Sequence, residues 1–264
     1  MGAKTPFLSA DCETRDFNGP SVDERQACLG VVIPCFNEAS TVDVLIRRVL
    51  SQPAVQEVVA VDDGSTDETW ECLRRWPARD SRVRALRHRC NRGKGAALRS
   101  GFKAANAAVV VVQDADLEYD PADYAEMLEV ILSNSADVVY GSRFHPQTQI
   151  SSPRWHRWGN WLITQVANGV TGLQLSDEAT CYKMFRRSLL DQFDLREDGF
   201  GFCPEFTVKA ARMGMRIREV PVTYRNRTWA QGKKIRLRHG IEALGCLLRY
   251  RFFGRCEQQT RLQD

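Results

Sequence analysis

The segment QDADLEYDP, Gln113 to Pro121, sets Asp114, Asp116, Glu118 and Asp120 directly behind the apolar run AAVVVV, Ala107 to Val112. Carboxylates spaced by two share one face of an extended strand, so Asp114, Asp116 and Glu118 are candidates to converge. Close carboxylates repel one another and raise each other's pKa unless a cation neutralises them. With no His or Cys in the set the donors are hard oxygens, which suit Mg2+ or Mn2+. Mg2+ takes one or two carboxylates and fills its shell with water and substrate phosphates, so a metal-bound diphosphate is the chemistry this spacing suggests. An acidic helix start accounts for Asp120 and Asp123, with Pro121 at the first turn. It accounts poorly for Asp114 and Asp116.

Two other apolar runs end in the same manner. LGVVIP runs into PCFNE, with Pro34, Phe36 and Glu38, and EVVAVDD runs into DDGSTD, with Asp63. Each alone is ordinary turn and N-cap chemistry. Turns need small polar residues but not several carboxylates on one rim. A fourth segment, NRGKGAALRSGF from Asn91 to Phe102, sets Lys94 between Gly93 and Gly95 at a helix start. That arrangement either brings backbone N–H groups and one cation to a phosphate or simply turns the chain into a helix. Its spacing is neither GxGxxG nor a Walker A loop.

These residues need a scaffold that presents strand ends together. Apolar periodicity predicts strands in LGVVIP, EVVAVDD, RVRALRH, AAVVVVQD and ADVVYGS, alternating with helices at 38–50, Thr69 to Arg75, Lys94 to Ala105 and Ala122 to Leu132. Beyond Arg143 follow a Trp-rich helix to Asn168, a short strand near CYKMFRR, a helix from Glu205 to Met213 and the strand IREVPVTY. Such alternation argues for an α/β fold: a mostly parallel central sheet with helices on both faces and a C-terminal elaboration. Ligands of such sheets bind beyond the carboxyl ends of the strands. The expected organisation is a polar arm over 1–27, one α/β domain over 28–232, and a basic amphipathic helical segment over 233–264.

The chain has 264 residues, 43% of them hydrophobic, enough for an ordinary core. No apolar stretch approaches the ~20 residues of a membrane span, and the N-terminus lacks a signal-peptide core, so a cytoplasmic location is expected. Nine cysteines form no CxxC pair, which suits reduced, packing cysteines better than disulfides or zinc. The net charge of +4 conceals an uneven distribution: Arg225 to Arg255 carries +8, and the remainder −4. Leu237, Ile241, Leu244, Leu248 and Phe252 form a helical stripe there, flanked by Arg236, Arg238, Arg249 and Arg251. The stripe is expected to pack on the core and the cations to meet a membrane surface. No nucleic-acid motif accompanies them.

VVIPCFNEASTVDVLI, VDDGSTDET, NRGKGAALRSGF, QDADLEYDP and VVYGSRF, in this order and spacing, resemble glycosyltransferase family 2, and within it the dolichol-phosphate mannosyltransferase-like, polyprenyl-phosphate hexosyltransferase branch. The resemblance spans about residues 29 to 235. It implies a GT-A fold, a UDP- or GDP-hexose donor, a divalent metal, Mg2+ or Mn2+, and inversion at the anomeric carbon. Pro34, Phe36, Glu38 and Asp63 would line the nucleoside pocket with Lys94 near it. Asp114 and Asp116 would form the metal-diphosphate motif, with Glu118 completing the shell. Arg143 and Arg157 would bind the phosphate of a polyprenyl acceptor. In LSDEATCYKMFRR, Asp177 stands near the reacting centre, and in NRTWAQGKKI the residues Arg227, Lys233 and Lys234 would close over phosphates.

The acceptor decides the mechanism. A sugar hydroxyl needs a general base, for which Asp177 is the candidate. A polyprenyl phosphate, with a second pKa of about 6, is already largely anionic at neutral pH, and its enzyme would chiefly position two anions and neutralise their repulsion. Three readings therefore stand: transfer to a polyprenyl phosphate, transfer to a soluble or saccharide acceptor through Asp177, and a noncatalytic nucleotide-binding scaffold.

Overall fold

A computed structural model describes residues 28–146, 154–226 and 237–252. The strands are β1 (Leu29–Cys35), β2 (Val55–Asp62), β3 (Val83–Arg87), β4 (Val109–Val112), β5 (Val138–Ser142), β6 (Lys183–Arg186) and β7 (Ile217–Pro221). The helices are α1 (Val42–Leu50), α2 (Thr69–Leu73), α3 (Lys94–Ala104), α4 (Tyr124–Leu132), α5 (Arg154–Thr171), α6 (Phe202–Arg212) and α7 (Leu237–Phe252). The described strands form one sheet in the order β3-β2-β1-β4-β6-β5-β7. All neighbouring pairs are parallel except those made by β6, which runs antiparallel to both β4 and β5.

The period of two sorts each strand between two cores. Val31, Ile33, Val109 and Val111 face α1 and α4, represented by Leu45, Ile46, Met127 and Ile131. Val32, Val110 and Val112 face α3 and α6, represented by Leu98, Phe102, Phe202 and Phe206. Strands covered on both faces read as continuous apolar runs, which is why VVVV forms β4. The chain builds outward from β1 through β2 to β3, then places β4 on the other side of β1. That reversal opens a crevice beyond the carboxyl ends of β1 and β4, where such sheets bind ligands.

Behind the sheet, α5, α6 and α7 pack together through Ala167, Val208, Cys246, Leu247 and Tyr250. This corrects the expectation for the C-terminal stripe. The buried face of α7 is Ala243, Cys246, Leu247 and Tyr250, whereas Ile241, Leu248 and Phe252 are exposed, Phe252 at 72%. The buried face is held on α6, where Cys246 donates to the Gly201 carbonyl at 3.4 Å and Arg212 to that of Tyr250 at 2.8 Å.

Candidate active site

Side-chain hydrogen bonds join the loops after β1 and β2. Asn37, at φ +52°, accepts from the Thr66 amide at 2.9 Å and donates its own N–H to Ser65 Oγ at 3.0 Å. The Glu38 amide donates to Thr69 Oγ1 at 2.8 Å, and the Glu38 carboxylate, buried, accepts from Thr41 Oγ1 at 2.9 Å. Pro34, in β1 opposite Val61, and Phe36 just beyond it are half-buried on this rim. The small polar residues of DDGSTD thus lock the two strand ends together.

Asp63 is buried and holds the next loop in place. Its Oδ1 accepts from His88 Nδ1 at 2.7 Å and from the Arg92 amide at 3.0 Å, and its Oδ2 accepts from the Gly93 amide at 2.7 Å. His88 Nε2 reaches Ser100 Oγ on α3 at 2.9 Å. The α3 start is therefore fixed from below by Asp63. From above it is covered by residues 197–198: the Ala96 amide donates to the Asp198 carbonyl at 3.1 Å. A Cβ on Gly95 would lie 2.0 Å from the Glu197 carbonyl oxygen, and one on Gly93, at φ +100°, 2.3 Å from that of Asp198. Of the two sequence readings of NRGKG, the amides of Arg92, Gly93 and Ala96 serve the turn into a helix. The cation remains available to the site: Lys94 Nζ pairs with Asp114. Burial opposes its charge, but Asp114 together with the thiols of Cys181 and Cys203 holds Lys94 well above its usual range.

The acidic segment does not continue as a strand. β4 ends at Val112, and the chain then turns, with Leu117 at φ +62°, so the spacing of two no longer puts Asp114, Asp116 and Glu118 on one face. Asp114 and Asp116 are half-buried; Asp116 Oδ1 accepts from the Glu118 amide at 3.1 Å. Glu118 is buried, and its Oε2 accepts from Tyr224 Oη at 2.6 Å. Among the described residues no three His, Cys, Asp or Glu side chains are placed to hold one metal ion. The loop takes the three acids off a common strand face, and Tyr224 occupies Oε2 of Glu118. Asp114 and Asp116 remain a fit for a hard cation that needs only one or two carboxylates, and Asp114 already carries a cationic partner.

Beyond β5, Arg143 and Asp177 form a buried fork. Asp177, fully buried, accepts at Oδ2 from the Arg143 amide at 2.9 Å and Nε at 2.7 Å, and at Oδ1 from Nη2 at 2.7 Å. Burial works against the Arg143 charge, but Asp177 beside it holds the guanidinium well above its ordinary range. Glu219 of β7 fixes the carboxylate's backbone, accepting from the Ser176 and Asp177 amides at 2.7 and 2.9 Å. Tyr224 ties this region to the acidic segment, because the ring that reaches Glu118 also lies 5.3 Å from the Arg143 guanidinium carbon. The Arg143 Nη2 meets Asn160 of α5 at 3.4 Å. Arg157 stands exposed one turn before Asn160 on the same helix.

Glu219, Tyr224, His88 and Cys181 were not singled out in the sequence. Glu219 carried a faint signal, a carboxylate inside the strand IREVP; the others carried none, since their partners are distant in the chain. Cys181 lies beside Lys94 and meets Cys203; the hydrogen bond with Cys203 draws its thiol down, against burial and with help from Lys94. Arg227, Lys233 and Lys234, and the arm over 1–27, lie outside the described residues.

A mostly parallel sheet with a switch point between β1 and β4, and acidic residues immediately after β4, defines the GT-A class of glycosyltransferase folds. The family model described as "Glycosyl transferase family 2" matches residues 30–193. An undecaprenyl-phosphate mannosyltransferase from Micrococcus luteus is 30% identical over 209 residues, covering 76% of this chain and 85% of the relative. A dodecaprenyl-phosphate galacturonate synthase from Rhizobium johnstonii is 30% identical over 205 residues, covering 75% of this chain and 59% of that longer relative. Among solved structures, glucosyl-3-phosphoglycerate synthase from Mycobacterium tuberculosis, in complex with Mn2+, UDP and phosphoglyceric acid, superposes with a TM-score of 0.65 at 20% identity over 86% of this chain and 79% of that one. The chain belongs to glycosyl transferase family 2, in its dolichol-phosphate mannosyltransferase-like branch, and is a hexosyltransferase.

Proposed function

We propose that this enzyme transfers a hexose from a nucleotide-sugar donor to a polyprenyl phosphate. One observation carries the reading: Tyr224 touches both Glu118 in the acidic segment and Arg143, so the carboxylates suited to a donor cation and a guanidinium suited to an acceptor anion lie within one side chain of each other. Names of the relatives support the acceptor class, since both act through polyprenyl phosphates; because one bears mannose and the other galacturonate, they leave the sugar open.

In this reading Pro34, Phe36, Glu38 and Asp63 line the nucleoside end, and Asp114 and Asp116 hold Mg2+ or Mn2+. The cation, when bound, offsets the charge of the departing nucleoside diphosphate. Lys94, paired with Asp114, would add its own charge near the diphosphate. Arg143 receives the acceptor phosphate: Nε and Nη2 are given to Asp177, and among the described residues Nη1 has no partner. A planar guanidinium gripped on one edge presents the other in a fixed direction, which suits a phosphate oxygen. Arg157, exposed on α5, adds a second cation from the solvent side. Asp177 is fully buried with both oxygens held by Arg143, and a phosphate nucleophile needs no base. This favours the lipid phosphate over a hydroxyl acceptor.

A membrane-borne acceptor calls for a docking face. Among the described residues no helix is long and apolar enough to cross a membrane. Trp158 and Trp161 of α5 are exposed at 65% and 55%, and Ile241, Leu248 and Phe252 stand out from α7, which packs on α5. With Arg157, Arg249 and Arg251 on the same two helices, this surface fits peripheral contact at an anionic lipid interface.

The test is a panel of UDP- and GDP-hexoses with Mg2+ or Mn2+, read by nucleotide release with and without polyprenyl phosphate. Expected are release that depends on the lipid, labelled product that extracts into organic solvent, and loss of both in folded Asp116→Ala. Release indifferent to polyprenyl phosphate, with product left in water, would overturn the acceptor.

A further inference from the structure

Cys181 and Cys203, 22 residues apart in sequence, bring their sulfurs to 3.4 Å. Cys181 is half-buried beside Lys94, while Cys203 is buried in the first turn of α6, its Sγ 3.6 Å from the Thr180 carbonyl. The residues around them belong to the donor side of the site, yet neither thiol has a task in sugar transfer. We propose that this pair is an oxidation site, closed by a peroxide into a reversible intrachain disulfide that displaces the α3 start and Lys94.

The chemistry balances with hydrogen peroxide as the oxidant. The sulfur of Cys181, a half-buried residue, attacks one peroxide oxygen; the O–O bond breaks, the departing hydroxide takes the thiol proton and leaves as water, and Cys181 becomes a sulfenic acid. Cys203 then attacks that sulfur, the S–O bond breaks, and the second hydroxide leaves as water with the Cys203 proton. Each sulfur gives up one electron, and the two peroxide oxygens receive them. A dithiol reductant reverses the bond by exchange.

The consequence follows from what moves with Cys203. A disulfide sets its sulfurs at about 2.05 Å, so the pair must close by more than an ångström. Cys203 shares α6 with Glu205, whose fully buried carboxylate holds the amides of Arg196 and Glu197, each at 2.8 Å. Residues 197–198 are in turn the cover on Gly93 and Gly95, with no room for so much as a Cβ. A pull on the start of α6 is thus passed through close-packed backbone to the residues flanking Lys94 and to its pair with Asp114. On the other side, Thr180 next to Cys181 donates to the Gly141 carbonyl at 2.7 Å, two residues before Arg143.

The effect on turnover rests on the donor-site reading; the disulfide itself does not. The full chain is treated with stoichiometric hydrogen peroxide and analysed by peptide mapping and by amide hydrogen exchange over residues 93–97 and 113–118. A Cys181–Cys203 linked peptide is expected before oxidation of the exposed Cys90, removed by dithiothreitol, with faster exchange in both segments. Cys203→Ser should stop at a Cys181 sulfenic acid trapped by dimedone, with exchange unchanged; Cys203→Ala replaces it if the buried hydroxyl prevents folding. Absence of the linked peptide, or a linked peptide with unaltered exchange, overturns the proposal. Nucleotide-sugar turnover, followed in parallel, should fall on oxidation and return on reduction. A reduced protein without turnover counts against the donor-site reading, and mapping and exchange still decide the thiol pair.

Discussion

Asp177→Asn separates a residue that positions Arg143 from one that accepts a proton. The native carboxylate takes three N–H groups of Arg143, at 2.9, 2.7 and 2.7 Å, in a fully buried position. An asparagine keeps the shape but turns one acceptor oxygen into a donor facing another donor, and leaves the guanidinium charge uncompensated. Removing one member of a buried pair costs about 3–5 kcal/mol. The Arg143 side chain keeps 14% of its exposure, which favours the lower end, about 3 kcal/mol. At roughly 2–4 °C per kcal/mol for a domain of this size, the thermal midpoint should fall by about 6–12 °C. Kinetically, the apparent KM for polyprenyl phosphate should rise at least tenfold while the donor KM changes little and the pH–rate profile keeps its shape. Replacing both members, Arg143→Met with Asp177→Leu, should recover most of the stability but none of the acceptor use. A general base would behave otherwise: kcat lower by about 10^2–10^4, the basic limb of the pH profile altered, and the midpoint and acceptor KM unchanged. That outcome would refute the positioning role.

Gly95→Ala should cost about 1–3 kcal/mol by overpacking, since its Cβ meets backbone at 2.0 Å, and should weaken donor binding with it; denaturant unfolding and donor KM read the two effects. Burial, with Asp120 nearby, pushes the Asp123 carboxyl up to about 6. A raised acid binds more protons folded than unfolded, so this group's contribution to stability is lost as pH rises from about 4 through 6. Asp123→Asn, whose amide oxygen can still accept from the Thr223 amide, should therefore match the wild type near pH 4 and exceed it by about 1 kcal/mol at pH 7, a value discounted for solvent; urea midpoints across pH decide it, and a constant difference would count against the sign. Trp158→Ser with Trp161→Ser should lower binding to anionic vesicles by roughly tenfold or more, given about 1.5–3 kcal/mol for burying a large apolar side chain, with soluble nucleotide binding unaffected; unchanged flotation would remove α5 from the docking face.

The apolar runs were enough to place each described strand and helix near its observed position, because burial on both faces of a parallel sheet demands uninterrupted Val and Ile, as in VVVV. Sequence also brought PCFNE, DDGSTD and QDADLEYDP to one edge, since every parallel strand here presents its carboxyl end to the same side. It failed where a residue's fate depends on a distant partner. The spacing of two in DADLE put three carboxylates on one strand face, but the chain turns through Leu117 instead, and Glu118 meets Tyr224, 106 residues away. The stripe on α7 was legible, yet Ile241, Leu248 and Phe252 face outward, because the face that meets α5 and α6 is that of Ala243, Cys246, Leu247 and Tyr250.

What the sequence by itself determined is the α/β architecture and the edge on which Asp114 and Asp116 stand, both consequences of local periodicity and chain order. Only the tertiary structure decided that Asp177 holds Arg143, that Glu219 holds Asp177, and that Cys181 meets Cys203. Those pairings join segments tens of residues apart, where no spacing rule links the partners; their geometry exists only once β5, β6, β7 and α6 have packed.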